Sequence, residues 1–238
     1  MSKLVPTGWN RLPLKDYVYF QEGPGLRNWQ YSNCGIPFLN IRCIVNKTLD
    51  LSNAQYISVE EAEKKYKHFL LDEDDLVLST SGTIGRYALI KKHHLPLMLN
   101  TSIIRFRSRN EDKICKQFLE YYLQSSDFLT QLLVESQGSA QVNVGPTHLQ
   151  KVNSLLPPLP EQQKIASILT SVDTVIEKTE AQINKLKDLK KAMMQELLTK
   201  GIGHTEFKDS PVGRIPRSWE VVTLKNCISD ISSGWSPV

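Results

Sequence analysis

Between Arg86 and Asn110 every charged side chain is basic: Arg86, Lys91, Lys92, Arg105, Arg107 and Arg109, with no carboxylate in the interval. In a β-strand, alternate side chains share a face, so Arg105, Arg107 and Arg109 would form one stripe. A stripe of one sign repels itself, and the partner that suits it is a polyanion such as a phosphate backbone. A solvated basic face fits the same composition. Two further clusters hold the planar donors and acceptors that could read base edges. One is Arg27, Asn28, Trp29, Gln30 and Tyr31; the other is Gln137, Ser139, Gln141 and Asn143. Each also fits an ordinary polar loop.

Other chemistries find little support. There is no GxxxxGK[ST] loop for a nucleotide's phosphates, no GxGxxG turn, and no Asn/Asp-Pro-Pro-aromatic segment for methyl transfer. His93 and His94 are adjacent, so their side chains point in different directions, and no carboxylate stands at ligand spacing. The acidic run Asp72 to Asp75 is expected as a solvated loop or helix end. No metal site is expected.

The chain has 238 residues, 40% hydrophobic and 23% charged, which supplies enough apolar material for a core. A net charge of +4 permits nucleic-acid binding without requiring it. Cys34, Cys43, Cys115 and Cys227 lack CxxC spacing, so reduced thiols are expected. The N-terminus lacks a signal-peptide pattern, and no apolar run approaches the length of a membrane span. A cytoplasmic protein with no membrane partner is the expectation.

The elements that must position these residues are of mixed type. Gly35 to Ile41 reads as turn and strand. Ser58 and Glu61 form a capping box before a short helix to about Phe69. Leu76 to Ser79 and Tyr87 to Ile90 read as strands joined through Ser81-Gly82-Thr83-Ile84-Gly85, where Ser81 and Thr83 join the candidate contacts. Leu97 to Leu99 and Ser102 to Phe106 continue in strand-like manner. From Asp112 the period changes to helical, with Ile114, Phe118 and Tyr121 or Tyr122 on one face. A second helix follows through Phe128, Leu132 and Leu133. Residues 1–159 are therefore expected as an α+β domain.

After the stiff lead-in Leu155-Leu156-Pro157-Pro158-Leu159, one helix is predicted from Pro160 to Lys200, roughly 60 Å long, with Gly201 as its stop. Apolar residues recur at alternating steps of four and three: Ile165, Leu169, Val172, Ile176, Ile183, Leu186, Met193 and Leu197. Thr179 and Lys190 are polar interruptions. That is a coiled-coil seam, which needs a second helix to cover it. Residues 160–201 are assigned to this rod and 202–214 to a linker.

An internal repeat brackets the rod. Pro6, Trp9, Leu14 and Lys15 match Pro216, Trp219, Leu224 and Lys225 at one fixed offset, and Gly-Pro turns follow at Gly23-Pro24-Gly25 and Gly234-Trp235-Ser236-Pro237. Residues 215–238 are thus expected as the opening of a second, incomplete copy.

Several motifs together resemble the specificity subunit of type I restriction-modification systems. They are the Pro-x-x-Trp opening, Ser-Gly-Thr-Ile-Gly at 81–85, Gly-Ser-x-Gln-x-Asn at 138–143, and Pro-Pro-Leu-Pro-Glu-Gln-Gln at 157–163 leading into the long helix. The second Pro-x-x-Trp after the helix adds to them. The resemblance implies a mixed α/β target-recognition domain followed by a coiled-coil helix, reading one half of a split site in double-stranded DNA. It implies no catalysis and no cofactor here, with S-adenosylmethionine, ATP and magnesium confined to partner modification (methyltransferase) and restriction/translocase subunits. The family has two recognition domains and two antiparallel helices. This chain holds one of each complete, which leaves a truncated form or a half-subunit pairing as an antiparallel homodimer. The rival from another class is a coiled-coil protein scaffold that does not bind DNA.

Overall fold

The computed structural model describes residues 5–135 and 144–229. Gln137, Ser139, Gln141, Asn143 and the turn at 234–237 lie outside them. The chain divides into two compact units, Met1–Ser171 and Val172–Val238.

The first unit begins with β1 (Asn10–Pro13), β2 (Val18–Glu22), β3 (Tyr31–Ser32), β4 (Ile36–Phe38), β5 (Ile44–Val45), β6 (Thr48–Leu49) and β7 (Gln55–Ile57). It continues through α1 (Val59–Lys65), β8 (Leu76–Ser79), β9 (Tyr87–Leu89) and β10 (Ile103–Ser108). Then come α2 (Lys116–Gln124), α3 (Ser126–Glu135), α4 (Pro146–Leu149), β11 (Asn153–Leu156) and α5 (Leu159–Lys200). This is the α+β architecture expected from the sequence, with the long helix in place.

The central sheet has the order β2-β10-β8-β9, every pair antiparallel. Its inner strands are buried at successive positions, the mark of strands covered on both faces. Alternation then sorts their residues. Leu78, Ile104 and Phe106 pack with Leu119, Phe128 and Leu132 of the helices. Val77, Ala88 and Ile103 join Ile90, Leu97 and Leu99 in a second cluster. Phe106 meets Phe128 edge to face at 6.2 Å. A smaller sheet, β3-β7-β4, carries a third cluster around Phe38, Ile57 and Met98.

Local signals are mostly realised. The Ser58 hydroxyl accepts the Glu61 N–H at 3.2 Å and caps α1. Glu61 does not complete the capping box, because its carboxylate accepts from Gln30 and Lys65 instead. Strands β8 and β9 form the expected hairpin, with Leu78 opposite Tyr87. Leu97 to Leu99 is fully buried but contributes only isolated bridges through Met98.

In the second unit α5 ends at Gly201, whose positive φ of 69° suits glycine and whose N–H donates to the Leu197 carbonyl. The segment expected as a linker, 202–214, contains most of a hairpin of β12 (Phe207–Ser210) and β13 (Gly213–Pro216). Its Ser-Pro-Val-Gly turn outweighs the lack of apolar periodicity. The two Pro-x-x-Trp segments share some local geometry. The Trp9 N–H donates to Pro6 O at 3.1 Å, and the Trp219 N–H donates to Pro216 O at 3.0 Å. A single 3-10 turn follows in each, Leu14–Asp16 and Leu224–Asn226. Leu14 is fully buried, whereas Leu224 is 69% exposed.

Candidate functional site

One end of the central sheet gathers several of the residues singled out above. The Ser79 hydroxyl accepts the Arg86 N–H at 3.0 Å and donates to Thr83 O, and the Gly85 N–H donates to Ser79 O. Gly82 and Gly85 have φ of 62° and 88°, so the chain turns tightly and leaves Thr83 and Arg86 exposed, with Ser81 buried beneath. The Thr80 N–H donates to Ser102 O, while Thr80 O accepts the Val144 N–H at 2.9 Å. Val144 follows directly on the segment that holds Gln137, Ser139, Gln141 and Asn143. This bond sets Val144 at the foot of the Ser81–Gly85 hairpin.

The Arg27 to Tyr31 cluster divides in two. Gln30 is buried and saturated: its Oε1 accepts the Arg27 N–H at 2.9 Å, and its Nε2 donates to Glu61 Oε1 and to the Tyr66 hydroxyl. Tyr31 packs on Phe38 at 5.2 Å. These two pin the turn and are spent within the fold. Arg27, Asn28 and Trp29 stand outside it, Trp29 being 77% exposed. The hydrogen bond from Gln30, with a second from Lys65, holds the Glu61 carboxyl below the usual glutamate range.

The arginine stripe requires a correction. Arg105 and Arg107 do share strand β10, while Arg109 lies just past its end at Ser108, and the stripe is not a free basic face. Arg105 is 6% exposed, and its guanidinium donates to Leu70 O, His68 O and Gln21 Oε1, with Asp75 Oδ2 3.6 Å away. Arg107 is half-buried and forks onto Asp75, with a further bond to Asp72 Oδ2 at 2.6 Å. The hydrogen bonds to Asp75 raise its pKa, so it stays charged. Arg109 is exposed; its Nε donates to Val18 O, and its guanidinium lies 5.6 Å from the Tyr19 ring centroid. The counter-charge comes from the acidic run, which is not merely solvated: Asp75 is 1% exposed, and Asp74 pairs with Lys116. Lys91 and Lys92 are exposed, at the N-cap and first residue of a 3-10 turn rather than on a strand. Among the described residues no group of three or more His, Cys, Asp or Glu is placed to hold a metal ion.

Sequence inspection missed Asn46 and Lys47, which form the turn between β5 and β6 close to Tyr87. The available signal was an Asn-Lys pair between two short β-branched segments. It also missed the use of Gln162. This residue is fully buried in the first turns of α5; its Oε1 accepts the Cys115 N–H at 3.0 Å, and its Nε2 donates to Lys113 O and Pro157 O. Glu161 beside it accepts the Trp9 indole N–H at 3.0 Å. The Pro-Pro-Leu-Pro-Glu-Gln entry is thus a clip that makes the base of α5 part of the first unit. Ile165 packs against the core, while Leu169, Val172, Ile176, Ile183, Leu186, Met193 and Leu197 are exposed. The Thr179 hydroxyl donates to Val175 O within the helix.

A family model described as the type I restriction modification DNA specificity domain matches residues 6–188. The chain is 30% identical over 229 residues to a putative type I restriction enzyme MjaX specificity subunit of Methanocaldococcus jannaschii, covering 93% of this chain and 53% of that protein. It is 22% identical to the type I restriction enzyme EcoKI specificity subunit of Escherichia coli, over 82% of this chain and 42% of that one. Among solved structures, the HsdS subunit from Thermoanaerobacter tengcongensis matches with a TM-score of 0.57 at 21% identity, over 82% of this chain and 46% of that chain. The S subunit from M. genitalium matches at 0.53 and 14%, over 79% and 45%. At these identities the structural likeness is one of fold. The chain spans about half the length of the curated relatives it matches.

Proposed function

The chain belongs to the type I restriction-modification DNA specificity family, and on that footing we propose that it recognises double-stranded DNA by sequence as the specificity component of a type I complex. The first unit reads one half of a split target. The exposed helix docks modification subunits, and a restriction subunit joins them. The chain does no catalysis of its own and takes no cofactor; S-adenosylmethionine, ATP and magnesium belong to the partners.

The observation that carries this proposal is the construction of α5. Its base is locked into the recognition unit by Gln162, while its seam from Leu169 to Leu197 lies in solvent. A second copy of the helix, antiparallel about a two-fold axis, would bury that seam and supply a second recognition unit. At about 1.5 kcal/mol per side chain the seven exposed seam residues are worth roughly 10 kcal/mol per helix. Ile168, Val175 and Leu189 form a further exposed stripe beside the seam. A two-stranded coil needs only the a and d positions, so this extra width supports docking of partner helices.

Selection from a random DNA pool, with the modification subunit present, tests the proposal. Two identical copies paired antiparallel should enrich an interrupted palindrome. An asymmetric split site would refute identical copies. Failure to enrich any sequence, with no salt-dependent DNA binding, would favour the protein scaffold.

A further inference from the structure

The turn between β5 and β6 is two residues long, with Ile44 opposite Leu49 and Val45 opposite Thr48. Its residues Asn46 and Lys47 have φ of 49° and 64°, as the mirror-image hairpin turn demands. Asparagine tolerates this backbone, but the second position suits glycine, and a lysine there is strained. Strain of this kind collects at functional sites. Across from the tip stands the Ser81–Gly85 hairpin. The two bound an open cleft of about 330 Å³, walled by Ile44, Gly85 and Tyr87 and rimmed by Asn46, Lys47 and Arg86. Lys47 Nζ lies 5.9 Å from the Tyr87 ring centroid. The Arg86 guanidinium reaches back toward Ile44 O at 3.5 Å. Both cationic side chains thus border one concavity. A planar guanidinium and a point-charge ammonium facing one gap suit a tetrahedral oxyanion.

We propose that this cleft seats one backbone phosphate of the DNA, held between Lys47 and Arg86, and that the strained turn sets the register of the duplex against the Ser81–Gly85 hairpin. This rests on the DNA-recognition proposal above. A phosphate contact positions the duplex without reading bases.

Lys47→Gly separates charge from fold, because glycine relieves the turn while removing the ammonium. The full chain, with its modification subunit, is titrated with target and unrelated DNA across a salt series. Lys47→Gly and Arg86→Gln should each weaken binding to all sequences alike and lower the slope of log K against log salt by about 1. The thermal midpoint of Lys47→Gly should be unchanged or raised. If the unaltered chain binds DNA and Lys47→Gly matches it in affinity and slope, the phosphate site is refuted and DNA recognition stands. If the unaltered chain binds no DNA, both fall. Inorganic phosphate added at fixed ionic strength should not displace DNA. Displacement from the unaltered chain that is lost in Lys47→Gly would reassign the cleft to free phosphate and overturn the proposal.

Discussion

Trp9 and Glu161 are far apart in sequence, yet the indole N–H of one donates to Oε2 of the other at 3.0 Å. The bond ties the residue just before β1 to the first turn of α5. Together with the neighbouring Gln162, it fastens the base of α5 within the first unit.

Gln162→Ala should cost about 3 kcal/mol of stability, because a buried N–H and two carbonyls lose their partner. Glu161→Gln, at an exposed bond, should cost less than about 1 kcal/mol. Urea unfolding of the two variants gives the comparison directly.

Arg105→Ala should destabilise the chain by about 3 kcal/mol, since it takes a buried side chain from two part-buried carbonyls and removes one of the two arginines beside buried Asp75. Arg109→Ala, at an exposed position just past the end of that strand, should stay within about 0.5 kcal/mol of the unaltered chain. Chemical denaturation ranks them. Equal, negligible effects would mean that Arg105 is not held as described.

Glu61 should titrate below the ordinary glutamate range, chiefly because the Gln30 amide bonds its charged form. A depressed folded-state pKa means that the carboxylate's contribution is present above the unfolded value and is lost as pH falls through the folded one. The Gln30 side-chain NH₂ resonances, followed by NMR on acidification, should therefore move with that low midpoint. In Glu61→Gln the movement should vanish.

Inserting four residues in the middle of α5 adds about 6 Å, roughly two base steps of 3.4 Å. If α5 spaces two reading heads, sequences selected by the lengthened chain should show a wider gap between half-sites. An unchanged gap would remove the spacer role.

Features carried by local spacing were legible in the sequence. The helix through Pro160 to Lys200, the Ser58 cap and the glycine-bearing hairpin at 81–85 all appear as expected. Each depends on contacts within a few residues, which backbone geometry dictates. Strand alternation likewise put Arg105 and Arg107 on one face of β10, which ends before Arg109. What covers that face was decided elsewhere: Asp75, His68 and Leu70 arrive from distant chain and turn Arg105 into a buried anchor. Burial of Gln30 and Gln162, and the meeting of Lys47 with Arg86 across a cleft, have the same origin. Periodicity gives the direction of a side chain from its own neighbours. Its partners depend on which remote segments pack there, so only the tertiary structure could tell charges neutralised inside the fold from those left to face a ligand.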